Sequence, residues 1–189
     1  IAVVPVRTGR VRQVSPAALY VYDYDWSADG KSFAAEAAAG SGTNNYWIAE
    51  LFVVAAGSGQ ARSLWKPPLQ IACPRFSPDG KSIACVGLEG TVRVLDAGTL
   101  SVRTSFEVSK KPITALAVDP TNRWLLAGSA DSTIHLYDLS KNALARSIPL
   151  SDGYATVAAF VNPELLWVGT SKGTVRTWKI RRAPLDSLP

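Results

Sequence analysis

Apolar and polar positions alternate along most of the chain in runs of about six residues. These runs are rich in Val, Ile, Tyr, Trp and Thr, and they are separated by Gly, Pro, Asp, Asn and Ser. A period of two with β-branched and aromatic side chains predicts short strands, and the intervening residues predict tight turns. No stretch holds helical spacing with caps for three turns, so helix should be close to absent.

The strands recur in groups. Asp25-Trp26-Ser27-Ala28-Asp29-Gly30-Lys31-Ser32-Phe33 returns as Arg75-Phe76-Ser77-Pro78-Asp79-Gly80-Lys81-Ser82-Ile83, with Asp29 and Asp79 separated by 50 residues. Looser copies are Ala117 to Trp124 and Ala159 to Leu165. A second series, Gly90 to Asp96, Ser132 to Asp138 and Gly173 to Lys179, places Thr91, Thr133 and Thr174 at spacings of 42 and 41. In the Ser-Pro-Asp-Gly string, proline presets φ, aspartate bonds backbone donors ahead of it and glycine takes φ > 0. Asp29, Gly30, Asp79 and Gly80 therefore mark hairpin tips.

Four antiparallel strands recurring every 41 to 50 residues predict an all-β fold, a β-propeller or part of one, with about four to five four-stranded blades. The expected organisation is a single propeller or propeller segment over 1–189, with blades near 18–67, 68–110, 111–151 and 152–182 and a partial blade over 1–17. The last blade shows only three clear strands. Either the chain is part of a larger ring, or its N-terminal strand completes the last blade.

Two family resemblances follow from these strings. From Tyr20 to about Gly87, the runs Val21 to Lys31, Asn44 to Leu51 and Gln70 to Gly80 resemble the non-catalytic propeller of prolyl-oligopeptidase-type (S9) serine peptidases. From Thr91 to about 182, the spacing, Gly128-Ser129-Ala130-Asp131 and the Tyr137-Asp138 pair resemble WD40 repeats. That resemblance implies a hydrogen-bonded network of histidine, serine or threonine, aspartate and tryptophan within a blade. Ser129, Asp131 and Tyr137 would stand for it in one blade, and Thr170 and Trp178 in the next, where Lys172 holds the aspartate position. No histidine precedes the first strand of the 111–151 blade, so apolar packing should carry most of the stability.

Composition narrows the classes further. Of 189 residues, 47% are hydrophobic and 19% charged, the mix of a soluble globular chain. The longest apolar run, Leu51 to Ala56, is far short of the ~18 residues of a membrane helix, and no signal segment opens the chain. The net charge of +5 is spread as +2 over 1–95 and +3 over 96–189. Two cysteines and no Asn-x-Ser/Thr site leave the compartment open, with a mild preference for the cytoplasm. Methionine is absent, which reads as a segment of a longer chain or an engineered one.

Reactive constellations are not legible. A peptidase of the resembled family needs a Gly-x-Ser-x-Gly elbow, and Gly40-Ser41-Gly42 and Gly57-Ser58-Gly59 lack its spacing. Without a following helix they are no phosphate cradle either. His135 shares its strand slot with Arg93 and Arg176, so it should face solvent. Cys73 and Cys85 should face each other across adjacent strands as buried thiols, and their spacing does not suit zinc. Catalytic, cofactor and metal residues are accordingly expected to be none.

Lys172, Arg176, Lys179, Arg181 and Arg182 form a basic cluster, a possible partner surface that reads more simply as a charged edge strand. Aromatic residues suited to stacking bases are not interleaved there, which argues against nucleic acid. Tyr20, Tyr22, Tyr24, Trp26, Tyr46 and Trp47 should be mostly blade core. The function expected is a non-catalytic binding or scaffold module for a protein or peptide, with self-association if the ring is open. The alternatives are a gating propeller segment of an S9 peptidase without its hydrolase domain, and an engineered chimera without a biological role.

Overall fold

A computed structural model describes residues 1–40, 43–67, 70–99 and 101–180, with Thr43 and Asn44 as backbone only. It holds three four-stranded sheets, one three-stranded sheet and one two-stranded ribbon, all antiparallel. The ribbon is β1 (Ala2–Val3) and β2 (Arg12–Gln13). The first sheet is β3 (Leu19–Trp26), β4 (Ser32–Ala39), β5 (Glu50–Ala55) and β6 (Ala61–Trp65), with the single turn α1 (Thr43–Tyr46) between β4 and β5. The second is β7 (Ile71–Phe76), β8 (Ser82–Gly87), β9 (Thr91–Asp96) and β10 (Val102–Glu107). The third is β11 (Ile113–Val118), β12 (Trp124–Ser129), β13 (Thr133–Asp138) and β14 (Ala143–Pro149). The fourth is β15 (Ala155–Asn162), β16 (Leu165–Thr170) and β17 (Val175–Lys179).

Within each sheet the strands follow chain order, and the first strands of successive sheets pack on one another, β3 on β7, β7 on β11 and β11 on β15. The second strands of the first three sheets are almost wholly buried because each is covered on both faces. One apolar cluster fills each gap between sheets. Ala34, Leu51 and Leu64 meet Ile71, Ile83 and Leu95 between the first and second. Val86, Val92 and Phe106 meet Ile113, Leu125 and Tyr137 between the second and third. Ala115, Leu126 and Ile134 meet Ala155, Leu166 and Val168 between the third and fourth. Non-directional burial of this kind is the dominant favourable contribution to a fold whose sheets share no ladder.

The repeated Ser-x-Asp-Gly strings form equivalent tips. Between β3 and β4, Ser27 Oγ donates to Asp29 Oδ1 at 2.7 Å, Lys31 N–H donates to the same oxygen at 3.0 Å, and Gly30 has φ 66°. Between β7 and β8, Ser77 Oγ and Lys81 N–H reach Asp79 Oδ1 at 2.7 and 3.0 Å, and Gly80 has φ 69°. In the third sheet the buried Asp119 takes the serine slot and accepts from Arg123 and Trp124 N–H at 2.7 and 2.6 Å. Asn122, at φ 60°, holds the glycine position there.

Three expectations are corrected. The N-terminal strand does not complete the last sheet: β1 pairs with β2, and Ile1, Val3 and Val14 cover Phe33, Ala35 and Val54 of the first sheet. Most of the six Tyr and Trp residues expected in the core of the first repeat lie outside it: β4 is filled mainly by alanine, and Tyr20, Tyr24, Trp26 and Trp47 are exposed. Cys73 does not face Cys85 in the ladder, because a bulge between Ala72 and Arg75 displaces it with φ 52°. Both thiols are free, and burial pushes Cys73 up to about 11 and Cys85 up to about 12.

Candidate functional site

A recess with apolar lining and a polar rim lies between the second and third sheets, at the end where the Asp79 and Asn122 tips project. It is a groove of about 550 Å³ floored by Ala84, Val94, Val118, Leu125 and Leu139. Asp79 N–H donates to Asn122 Oδ1 at 3.3 Å, so one tip buttresses the next. Across the rim, Thr104 hydroxyl bonds the Asn142 side chain, and Asn142 sits at φ 51° in the β13–β14 turn.

Two arginines stand on this rim, each fixed by an aspartate at the end of a third strand. Arg103 Nε donates to Asp96 Oδ2 at 3.0 Å and its Nη1 to Ser82 Oγ at 3.0 Å. Asp96 also accepts from Thr99 and Gly98 N–H at 2.7 and 2.9 Å. The Thr99 amide first, then Arg103 and the Gly98 amide, hold its carboxyl far below the usual range. Arg123 donates from Nε and Nη2 to Asp138 Oδ2 at 3.3 and 3.0 Å and lies 4.7 Å from the Trp124 ring centroid. Burial raises the Asp138 carboxyl, and the bonds from Ser140 and Arg123 outweigh it to leave it lowered. The cations are thus held in place and largely neutralised. The groove suits an apolar side chain flanked by hydrogen-bonding backbone better than a free anion.

The blade-network residues fall into two arrangements. In the third sheet, Asp131 N–H donates to Ser129 Oγ at 3.2 Å and Asp131 Oδ2 accepts from Ser109 Oγ at 2.7 Å. Ser109, in the connector before β11, stands where the WD40 pattern has histidine, a residue the sequence reading passed over. Tyr137 does not join this network. Its ring lies 4.3 Å from that of Phe106, in the cluster between the second and third sheets. In the fourth sheet Thr170 Oγ1 is 2.8 Å from Thr174 Oγ1, and the Thr174 hydroxyl donates to Asp152 in the connector before β15. Acid and hydroxyl have exchanged sides between the two sheets. Trp178 packs against the cluster between the third and fourth sheets, and Lys172 lies exposed in the β16–β17 turn.

Of the basic cluster, Lys172, Arg176 and Lys179 lie among the described residues. Arg176 Nε sits 2.9 Å from both Asp152 carboxylate oxygens. Arg176 pairs with Val168 and Lys179 with Leu165, three positions along β17, so they point to opposite faces. Arg181 and Arg182 lie outside the described residues, as do Ser41 and Gly42. Gly57-Ser58-Gly59 is the β5–β6 turn, clasped by Arg12, whose Nη1 donates to Gly57 O at 3.0 Å. His135 is half-buried, a correction to its expected exposure: Nδ1 is 3.1 Å from Ser147 Oγ and Nε2 has no partner. Burial first, against the pull of Asp131, lowers its pKa.

One buried acid carries no signal in the sequence. Glu36 on β4 is fully enclosed beside Asp23, its ladder partner on β3, and its Oε1 has no hydrogen-bond partner. Burial, then the Asp23 charge, pushes Glu36 up to about 8. Asp23 is itself 3.2 Å from Arg75 Nη1 on β7, which leaves little positive charge for Glu36.

Against this geometry, similarity to known proteins is specific in one segment. Residues 100–138 match the WD domain, G-beta repeat family. Over these residues the chain is similar to a WD40 repeat. The matched segment runs from the last strand of the second sheet through the first three of the third, so it straddles two sheets. The chain is 27% identical over 107 residues to the target of rapamycin complex subunit wat1 of Schizosaccharomyces pombe, covering 56% of this chain and 34% of that protein. It is 29% identical over 110 residues to mouse transducin-like enhancer protein 2, covering 57% of this chain and 14% of that protein. A chain in the crystal structure of the mitotic checkpoint complex superposes with a TM-score of 0.77 at 13% identity, covering 94% of this chain and 55% of that chain. The likeness is one of fold, successive antiparallel sheets packed blade on blade. The chain therefore spans well under two thirds of each of these relatives.

Proposed function

We propose that this chain is a non-catalytic propeller module that holds a protein partner through an extended peptide in the groove between its second and third sheets. The observation that carries the reading is the groove itself, with a continuous apolar floor and a rim of asparagine, threonine and clamped arginine side chains. Two of the relatives are described as a subunit of a complex or come from a structure of one, which supports a protein as the partner class.

An apolar side chain of the peptide would displace water from Val118, Leu125 and Leu139. Asn122 and Asn142, whose side-chain oxygens accept from Asp79 and Thr104, would offer their amide N–H groups to its backbone. Selecting peptides by display against the intact chain and measuring binding calorimetrically tests this. Leu125 is core, so Asn122→Ala and Leu139→Asp are the informative changes. Selected peptides should bind these variants about tenfold or more weakly, a loss of ~1.4 kcal/mol or more. Unchanged affinity in both variants refutes the assignment of the groove.

The S9 reading has weaker support. Two of the three runs that resemble peptidase propellers, Val21 to Lys31 and Gln70 to Gly80, end in the β3–β4 and β7–β8 tips, whose Ser and Asp side chains are occupied in mutual hydrogen bonds.

A further inference from the structure

Gln70 stands just ahead of β7, where its carbonyl accepts from Leu88 N–H at 3.1 Å. The same bond recurs in the other three larger sheets, from Gly40 N–H to Ala18 O, from Ala130 N–H to Pro112 O and from Ser171 N–H to Tyr154 O. The fold thus accepts alanine, proline or tyrosine at this position, and only the second sheet places an amide side chain there. That side chain is enclosed, at 7% exposure. Its N–H donates to the Tyr46 hydroxyl, and its Oε1 has no partner among the described residues. Buried acceptors are rarely left without a donor, because the water they lose goes unreplaced.

Gln70 lines a cavity of about 120 Å³ at the opposite end of β7 and β8 from the groove beside Asp79. The walls are Ile71, Ala72, Val86, Leu88, Pro112 and Ile113, and Tyr46 is the other polar side chain. Both walls belong to sheets that pack on each other, β7 and β8 on β11. The cavity is therefore interior to the stack.

The charge around Tyr46 calls for a cation. Glu36 Oε1 also lacks a partner, so two of the three unpartnered buried polar atoms among the described residues act on Tyr46. Burial, then the Glu36 charge, raises the Tyr46 phenol against the pull of the Gln70 bond. The neighbouring cations are engaged elsewhere, Arg75 with Asp23 at 3.2 Å and Arg93 with Glu89 at 2.6 Å. A neutral hydroxyl would satisfy Gln70 and leave Glu36 uncompensated, and a quaternary ammonium brings charge without a donor. A primary ammonium supplies both. Its four-carbon stem can lie along apolar walls with the head kept polar, and the compact head suits a small cavity better than a planar guanidinium.

We propose that this cavity takes a primary alkylammonium group on an unbranched stem, the chemistry of a lysine side chain, with an ammonium N–H donated to Gln70 Oε1 beside Tyr46. The stem would displace water from Val86, Leu88 and Ile113. The cavity shares no lining residue with the Asp79 groove, so the two sites stand independently.

Titrating the isotopically labelled intact chain with Nα-acetyl-lysine-N-methylamide, and separately with butylammonium, tests this by magnetic resonance. Saturable shifts are expected at the Gln70 side-chain amide and at Leu88 and Ile113 N–H, with a dissociation constant of about 1 mM. Tighter binding of the lysine derivative supports a polypeptide as the source, and tighter binding of butylammonium a free amine. The Nε-acetyl and Nε-trimethyl derivatives, which lack the charge or the donors, should bind at least about tenfold more weakly. Gln70→Met should weaken the primary amine to the same extent. Leu88→Lys, a change at a position 47% exposed, should weaken it by charge repulsion with the melting curve unaltered. No saturable shift at Gln70 up to about 50 mM amine overturns the proposal. So does an Nε-acetyl or Nε-trimethyl derivative that binds as well as the primary amine, or unchanged affinity in either folded variant.

Discussion

The backbone N–H of Phe76 donates to Asp25 Oδ2 at 2.9 Å, so a side chain of the first sheet satisfies a main-chain donor of the second. Beside it the Asp23–Arg75 pair, at 3.2 Å, makes a second polar link between the same strands. Sheets packed through side chains have no ladder between them, and these bonds set their register. Asp25→Ala would leave the Phe76 N–H without its partner and should cost about 1–3 kcal/mol in urea unfolding. Asp25→Asn keeps an acceptor oxygen and should cost about half as much or less. Equal losses for the two would show that the bond is not what matters.

Glu36 makes stability depend on pH in an unusual direction. Its folded pKa, pushed up to about 8 by burial and the Asp23 charge, lies above the value of an unfolded glutamate. The folded state therefore binds more protons, and the contribution is fully present below about pH 4.3 and lost as pH rises towards 8. Stability should fall across that window. Glu36→Gln should flatten the fall and stabilise the chain at pH 8 by about 1–3 kcal/mol, since an uncharged amide removes the buried charge. Melting curves from pH 5 to 9 that are parallel in parent and variant would exclude this role.

Gly128 sets the distance between the third and fourth sheets. An added Cβ would stand 2.5 Å from the Ala155 Cβ and 3.3 Å from the Ala115 Cβ, and neither can rotate away. Gly128→Ala should destabilise by about 1–3 kcal/mol through overpacking. Ala155→Gly in the same chain should recover part of it, with a coupling of about 0.5–3 kcal/mol in a double-mutant cycle. Additive losses would place the strain elsewhere.

Much of the architecture was legible because strands and tips are local. A period of two and an Asp-Gly string are read within ten residues, and Asp29 and Asp79 stand at equivalent tips with the same three hydrogen bonds. The candidate site was not legible in that way. Arg103 and Arg123 look alike in sequence to Arg75 or Arg93, and only the meeting of Asp96 and Asp138 at neighbouring strand ends places the first two on one groove. Glu36 gave no sign either, since an acid on an alanine-rich strand reads as a solvent-facing position until both faces of that strand are covered.

From residue order alone came the strand content, the repeat and the tip chemistry, since each depends on backbone preferences of a few neighbouring positions. Tertiary structure alone decided which strand faces meet. It buried Glu36, turned Tyr24 and Trp26 outward, pinned Arg176 to Asp152 and left Trp167 and Val175 uncovered. Burial belongs to whatever lies across the gap, and a strand's own sequence does not specify its neighbour.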